Sequence, residues 1–291
     1  MSVTFCLKLV NLYIEKKNVT FDKINPDRME LFRVLQSLES HTIYYWIVIA
    51  IIGFAITLSL LVGIRFYFKK DNEPRSYLFF ALLLLAFGFT QLHFVLRILG
   101  FFELYPRIRF LPIYFTLALP VLFFYYIKIA LFPTYQFRWT DAKHFILPIG
   151  QVMYFFITFL GYHSGLLPKI SPETNPFFGS LETAAYLGQF FAYLFFSLRY
   201  IKVKKKSSGS IQKRRQTVYL EILVQLFSFL FIIHTLFIFS DFYSYRIAYI
   251  NMQTTKVYVG LGILTFTSLL FCLSMYGMQL LLWGKKRIYP N

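Results

Sequence analysis

The stretch that decides the fold is IYYWIVIAIIGFAITLSLLVGIRFYF, residues 43–68, in which Arg65 carries the only charge. About 20 apolar residues are enough for a helix to cross the hydrocarbon core of a bilayer, so this stretch predicts a membrane-spanning helix. Six more apolar segments follow, separated by loops that contain proline, glycine or charged residues. The seven predicted spans are Ile43–Phe68, Ser76–Leu99, Phe110–Leu131, Phe145–Gly161, Leu181–Tyr200, Val218–Ser240 and Val257–Trp283. Pro120 is expected to kink the third span, and Pro148 is expected to interrupt the fourth.

The composition of the whole chain agrees with this interpretation. Of 291 residues, 57% are hydrophobic and only 15% are charged, whereas a soluble domain averages about 25% charged residues. The 37 Phe and 22 Tyr residues dominate, and aromatic side chains collect at the edges of several spans, as in an interfacial belt. The composition excludes an ordinary soluble enzyme, a disordered chain, collagen and a disulfide scaffold. It predicts an all-α integral membrane protein with seven transmembrane helices.

The chain has a net charge of +17, and much of the excess of Lys and Arg lies in short stretches that flank the apolar segments. This distribution is typical of membrane topology, so we expect no direct nucleic-acid binding. Fifteen Lys and Arg lie on one predicted side: Lys69, Lys70, Arg75, Arg138, Lys143, Lys202, Lys204, Lys205, Lys206, Lys213, Arg214, Arg215, Lys285, Lys286 and Arg287. Seven lie on the other: Arg28, Arg33, Arg107, Arg109, Lys169, Arg246 and Lys256. Because cytoplasmic loops are the ones enriched in Lys and Arg, the N-terminus is predicted outside and the C-terminus in the cytoplasm.

The chain divides into an extracytoplasmic N-terminal tail (1–42), a seven-helix transmembrane domain (43–284) and a short basic cytoplasmic tail (285–291). The tail contains ELFRVLQSLES with helical periodicity, which predicts an amphipathic segment on the outer membrane surface. A lid or a partner-docking helix is the alternative. Cys6 and Cys272 have no metal-ligand or CxxC spacing, so we expect no disulfide between them.

The loop IKVKKKSSGSIQKRRQ, residues 201–216, is a predicted cytoplasmic basic hinge. It predicts contact with anionic lipid headgroups or a retention signal, and the alternative is a cytoplasmic protein or nucleic-acid contact. Its basic residues are Lys202, Lys204, Lys205, Lys206, Lys213, Arg214 and Arg215. We expect Lys128 and Arg199 to extend toward the same headgroups, and Glu221 to pair with the hinge.

The sequence motifs of soluble enzymes are missing. The chain has no GxxxxGK[ST] phosphate loop, HExxH zinc helix, GxSxG elbow or GxGxxG turn. No predicted span carries repeated carboxylates or a histidine box. We therefore predict no catalytic residues, no metal site and no cofactor.

The informative residues are ionisable side chains in the outer half of the predicted spans, because charge in hydrocarbon is costly and usually faces protein or water. His93 and Arg97 are four residues apart and share a helix face. We predict an outward-opening polar cavity, with Tyr44, Tyr45 and Gln91 contributing; ordinary interfacial or interhelical hydrogen bonding is the alternative. The predicted ligand-binding residues are His93, Arg97, His163, Glu182, His234 and Asp241.

The stretch LPVLFFYYIKIALFPTYQFRWTDAKHFILP, residues 119–148, resembles seven-helix membrane domains that precede AraC-type DNA-binding modules in Bacteroidetes regulators. The matching residues are Pro120, Tyr125 or Tyr126, Lys128, Pro133, His144, Phe145 and Pro148. The resemblance covers residues 43–284 and implies a bacterial inner-membrane domain with a cytoplasmic C-terminus. The sequence ends at WGKKRIYPN, so we expect the domain without a DNA-binding module, either as a truncated regulator or as a stand-alone seven-helix protein on the same scaffold.

These observations together predict a seven-helix sensor-like domain of the bacterial inner membrane. It would bind an outer-side ligand or envelope partner and transmit a signal inward by helix movement. A non-catalytic structural or accessory subunit of a larger membrane complex is the alternative, and a lipid-modifying or transport protein is the third hypothesis. A sensor requires a convergent outer cavity, whereas a subunit requires a helix surface shaped for partner helices.

Overall fold

A computed structural model of the chain describes residues 43–69, 74–105, 108, 110–165, 180–207, 211–246 and 256–288. Every regular element within these ranges is helical and none is a strand, so the all-α prediction is confirmed. The predicted amphipathic tail (1–42) lies outside the described residues, as does Cys6. Tyr44 and Tyr45 lie in a described helix, but their side chains fall outside the description.

Seven helices of 14 or more residues build the described part of the chain, joined by short turns at Phe101–Leu104, Trp139–Ala142 and Lys143–Phe145. The long helices are α1 (Ile43–Tyr67), α2 (Pro74–Ile98), α3 (Ala118–Leu131), α4 (Ile146–His163), α5 (Ser180–Ser207), α6 (Ile211–Arg246) and α7 (Lys256–Ile288). The last of them continues into the segment 285–291 that the sequence predicted as a tail.

Five stretches of the described chain are long and apolar enough to cross a bilayer. They are Trp46–Tyr67, Arg75–Ile98, Trp139–His163, Thr217–Ser244 and Gly260–Leu282. Helix α3, with 14 residues, is shorter than a bilayer requires. Helix α5 is long enough to cross, but polar residues such as Glu182 and Gln189 make it less hydrophobic than the five stretches above. The chain is a multi-pass membrane protein.

Neighbouring helices in space close a ring: α1 packs on α2, α2 on α3, α3 on α5, α5 on α6, α6 on α7, and α7 on α1. The C-terminal ends of α1, α3 and α5 meet the N-terminal ends of α2 and α6 at one end of the bundle. Contacts there join Phe66 to Tyr77, Lys204 to Phe132 and Lys205 to Glu221. We call this the basic end, because Lys69, Arg75, Lys128, Lys204 and Lys205 gather there, and the opposite one the far end.

Helix α3 lies inside the bundle. Twelve of its 14 residues are buried, which is the pattern of a helix that is apolar on every side and surrounded by protein. The Phe123 ring stacks on Phe227 of α6 with centroids 4.6 Å apart, and Tyr126 packs at 4.6 Å on Phe80 of α2. These contacts make α3 the central element against which α2, α5 and α6 are arranged.

The predicted third span, Phe110–Leu131, was too long, and its proline-induced kink is absent. The helix begins only at Ala118, so Pro120 falls in its first turn. The first N–H groups of a helix have no partner within the helix, so proline costs little there. Pro148 was expected to interrupt the fourth span, but α4 begins at Ile146 and its proline also occupies the first turn.

Helix α7 approaches α1 and α2 closely at Gly277. A Cβ atom built on this glycine would lie 2.8 Å from Val62 of α1 and 2.8 Å from Phe80 of α2. Only a residue without a side chain allows this approach, which is how small residues bring helices together in membranes. Gly277 therefore fixes the spacing between three helices of the bundle.

Candidate functional site

A cavity of about 560 Å³ opens at the far end of the bundle, away from the basic end. Its walls come from the C-terminal end of α2, the segment before α3, the first turns of α5, the second half of α6 and the first half of α7. Ligand pockets in proteins typically measure about 300–1,000 Å³. The cavity therefore has the size of a small-molecule site.

Four of the six residues predicted to bind a ligand line this cavity, and they come from three different helices. Arg97 stands at the end of α2, Glu182 in the first turn of α5, and His234 and Asp241 two turns apart on α6. They converge because the end of α2, the start of α5 and the end of α6 all reach the far end of the bundle.

The other predicted residues lie elsewhere. His93 is 1% exposed, and its ring packs between Tyr114 and Phe102, with centroids 4.9 and 4.8 Å away. His163 closes α4 and stacks on Phe159, outside the cavity wall. Gln91 is buried and donates a hydrogen bond of 2.8 Å to Thr267 of α7. A residue's position along a span gives its depth, but it does not give the direction in which the side chain points.

Three side-chain hydrogen bonds hold Glu182 in place. Its Oε1 accepts hydrogen bonds from the hydroxyl of Tyr114 at 2.9 Å, from the hydroxyl of Thr116, and from Nε2 of Gln151 at 3.3 Å. Gln151 comes from α4, and its Oε1 in turn accepts the backbone N–H of Leu117 at 3.1 Å. Side chains from α4 and from the segment before α3 therefore fix the position of this carboxyl group. Glu182 itself lies in the first turn of α5, where the helix dipole favours negative charge.

Polar groups on α5 and α6 complete the wall. His234 Nδ1 lies 2.9 Å from the hydroxyl of Thr265 on α7. Tyr186 follows Glu182 by one helical turn and is 5% exposed, yet its hydroxyl has no hydrogen-bond partner among the described residues. A buried polar group without a partner is costly, so the Tyr186 hydroxyl is an unsatisfied group within the wall of the site.

The remaining wall is mostly apolar and aromatic. The rings of Phe94 and Phe266 meet edge to face, 5.5 Å apart, and His234 packs on Phe266 at 5.4 Å. Tyr258 donates a hydrogen bond of 3.0 Å to the backbone carbonyl of Phe237, which ties the start of α7 to α6. Apolar walls with a few fixed polar groups are typical of binding sites.

Sequence reasoning missed Tyr114, Thr116 and Tyr186 as members of this site. Tyrosine is so frequent in the chain that a single one carries no signal. The only available signal was the i, i+4 spacing of Glu182 and Tyr186, which places both on one helix face. Within the described ranges, no three His, Cys, Asp or Glu side chains could hold a metal ion together.

A second polar cluster lies at the basic end around Asp141, which is 7% exposed. Its carboxylate accepts hydrogen bonds from Tyr125 at 2.9 Å, from the Tyr135 hydroxyl, and from the backbone N–H of Arg138 at 2.8 Å. Lys128 Nζ lies 3.5 Å from Asp141 Oδ1 and 3.8 Å from the centre of the Tyr135 ring. Burial and the hydrogen bond to Asp141 raise the pKa of Tyr135 to about 12.

The Asp141 cluster corrects the expectation that Lys128 extends to the lipid headgroups. The side chain turns into the protein instead, because a buried carboxylate and an aromatic ring lie within its reach. Hydrogen bonds and the ion pair occupy both Asp141 oxygens, so the cluster has the features of a structural element that joins the end of α3 to the start of α4.

The predicted basic hinge is divided between two helices. Lys202, Lys204, Lys205 and Lys206 lie in the last two turns of α5, while positions 213–215 belong to the first turns of α6. Lys205 Nζ forms an ion pair of 2.7 Å with Glu221 of α6, as the sequence predicted. Residues 208–210 between the helices lie outside the described ranges.

No protein-family model, no curated protein and no solved structure matches the chain. The resemblance to the membrane domains of AraC-type regulators therefore stays a prediction. Any functional conclusion depends on the geometry of the cavity and on the arrangement of charge along the bundle.

Proposed function

We propose that this protein is a seven-helix sensor domain of the bacterial inner membrane, which binds a small ligand in the far-end cavity and signals inward. The observation that supports it is the cavity itself. Three charged residues from distant parts of the chain, Arg97 on α2, Glu182 on α5 and Asp241 on α6, line one space of about 560 Å³. Apolar walls and fixed polar groups suit it for binding.

A seven-span topology is supported by the alternation of the helices. Successive long helices run in opposite directions between the basic end and the far end, so α3 and α5 occupy the places of two further crossings. Helix α3 is surrounded by protein and does not need a full length of apolar surface against lipid. The excess of Lys and Arg assigns the basic end to the cytoplasm, in contact with anionic headgroups, and the cavity to the outer side.

A route for the signal follows from the same geometry. Helices α5 and α6 both line the cavity, and they meet again at the basic end, where Lys205 pairs with Glu221. A ligand that fits one arrangement of these helices better than another shifts the population toward that arrangement. The displacement then reaches the basic hinge at residues 202–215.

The test is ligand-induced stabilisation of the purified protein by fractions of a cell extract. Gly262 lines the cavity, and a Cβ built there meets nothing within 4 Å, so Gly262→Phe should fill the cavity without a backbone clash. Gly188→Phe is the matched control, because Gly188 is also helical with nothing within 4 Å but lies outside the cavity wall.

A fraction that raises the thermal midpoint of the wild type and of Gly188→Phe, but not that of Gly262→Phe, supports the proposal, since only a ligand of the folded state stabilises it. The proposal fails if every stabilising fraction acts equally on all three proteins. Stoichiometric co-purification of another membrane protein, with no effect of Gly262→Phe, would instead support an accessory subunit.

A further inference from the structure

Glu182 has no cationic partner among the described residues. It is 6% exposed and accepts its three hydrogen bonds from neutral groups, all of them on Oε1. Neither of the two ion pairs within the described ranges involves it. A buried carboxyl group is either paired with a positive charge or takes up a proton, so a cationic ligand would supply Glu182 with the counter-charge that the described protein does not.

Arg97, an exposed residue at the end of α2, brings a positive charge to the wall of the same cavity. Its guanidinium lines the wall together with Glu182, yet it forms no ion pair with Glu182 or with any other residue that the structure describes. Two opposite charges therefore face one space without touching. A ligand lying between them can meet both if it carries a negative group toward Arg97 and a positive one toward Glu182.

Tyr186 gives an independent indication that a polar ligand belongs here. Its hydroxyl is buried in the cavity wall, one turn beyond Glu182, and lacks a hydrogen-bond partner among the described residues. The opposite requirement comes from Phe94 and Phe266, whose rings offer an apolar surface to the same space. The ligand must therefore combine polar and apolar parts.

We infer that the cavity binds a small amphiphilic zwitterion, with an ammonium group at Glu182, an anionic group at Arg97 and an apolar portion against Phe94 and Phe266. This inference rests on the proposed ligand-binding function and specifies its ligand. The ammonium must carry N–H groups, because a hydrogen bond to a carboxylate needs a donor, and charge-assisted bonds of this kind are the strong ones.

Two sources share this chemistry. One is a free amino acid with an apolar side chain, whose anion is a carboxylate. The other is a phospholipid with an ethanolamine headgroup, whose anion is a phosphate and whose acyl chains are apolar. A choline headgroup has the same charges but no N–H donor, so it separates hydrogen bonding from charge alone.

The experiment measures binding to the full-length protein, delipidated in a mild detergent. The soluble probes are L-phenylalanine, phenethylamine, which lacks the anion, and 3-phenylpropionate, which lacks the ammonium. The lipid probes are dioleoyl phosphatidylethanolamine, phosphatidylcholine and phosphatidylglycerol, followed by native mass spectrometry. The variants are Glu182→Gln and Arg97→Gln, with Arg199→Gln as the control for loss of a charge outside the cavity wall.

We expect a zwitterion with N–H donors to bind best in at least one series, and each cavity variant to weaken it about tenfold or more. The control variant Arg199→Gln should leave its affinity unchanged. A preference for L-phenylalanine identifies the free source, and a preference for the ethanolamine lipid identifies the membrane source.

The inference is overturned if singly charged probes bind as well as the zwitterions, if no zwitterion binds, or if both cavity variants retain full affinity. The proposed function has a separate readout, since it fails when Gly262→Phe keeps every stabilising effect of the cell extract. An extract ligand whose binding is blocked by Gly262→Phe but unchanged by Glu182→Gln and Arg97→Gln would therefore overturn the zwitterion inference. The proposed sensor function would still stand.

Discussion

Asp141 shows how this chain stabilises a charge near the membrane. Its two oxygens receive two tyrosine hydroxyls, one backbone N–H and the ammonium of Lys128. These partners come from α3, from the loop after it and from the turn that precedes α4. A carboxylate held in this way fixes the path of the chain between two helices.

Asp141→Asn should lower the free energy of unfolding by about 3 kcal/mol, because it leaves the ammonium of Lys128 poorly compensated in a largely buried position. Replacing both residues with apolar ones, Lys128→Met with Asp141→Leu, should recover part of that loss. Glu221→Gln, which breaks the more exposed pair with Lys205, should cost less than about 1 kcal/mol. Denaturant titration in detergent measures all three, and equal losses for Asp141→Asn and Glu221→Gln would contradict the account.

Gly277→Ala should destabilise the bundle by about 1–3 kcal/mol, since the new methyl group would press into Val62 and Phe80. Gly188→Ala is the matched control. It meets nothing within 4 Å, and alanine's better helix propensity should leave stability unchanged or raise it by up to about 1 kcal/mol. Thermal midpoints of the two variants in the same detergent decide the matter, and similar midpoints would show that the close approach at Gly277 is not tight.

At the scale of single residues, the sequence was informative where a charged or titratable side chain falls within an apolar span. Arg97, Glu182, His234 and Asp241 could be selected because charged or titratable groups in spans usually face protein or water. His93 also faces protein, but its ring packs among aromatic side chains and does not line the cavity. Which of the two environments a histidine occupies depends on the rotation of its helix, and that rotation is set by neighbours the sequence does not reveal.

Helix α3 shows the limit of sequence reasoning at the scale of elements. The hydropathy of residues 110–131 predicted one continuous span, whereas residues 111–117 are non-helical and the helix starts at Ala118. Apolar content reports burial, and every residue from 110 to 131 is buried or half-buried. Period and composition could not separate them, because a helix buried on all sides has no polar face to mark its ends.

Binding should move the helices at the basic end of the bundle. We expect the stabilising extract fraction to change the distance distribution between spin labels at positions 140 and 206, on the turn before α4 and at the end of α5. Double electron–electron resonance measures this change, and labelled Gly262→Phe should show none. A rise in the thermal midpoint without any change in the distances would mean binding without signal transmission, against the sensor assignment.

For the whole molecule, the sequence predicted an all-helical membrane protein correctly from its apolar runs and low charge. The structure adds the ring of neighbouring helices and the separation between the cavity and the basic end. That separation could not be read from hydropathy, since it depends on which helix ends meet in space. Five spans follow from length and composition alone, and the proposed seven require α3 and α5 to cross as well.

The proposed orientation predicts opposite labelling of two cysteine positions in intact spheroplasts. With Cys6 and Cys272 changed to Ser, a membrane-impermeant maleimide should label Tyr105→Cys, beyond the far end of α2, without lysis. Lys206→Cys, at the basic end of α5, should react only after lysis. Both positions are solvent-exposed in the structure, and the reverse pattern of labelling would invert the topology.

The most direct test of the central claim, that the far-end cavity holds a ligand, is native mass spectrometry of the protein released from mild detergent. The account predicts a reproducible small adduct on the wild type and on Gly188→Phe, and its loss from Gly262→Phe. An adduct that survives unchanged in a folded Gly262→Phe protein, or a wild type that never carries one in any lipid environment, would contradict the claim.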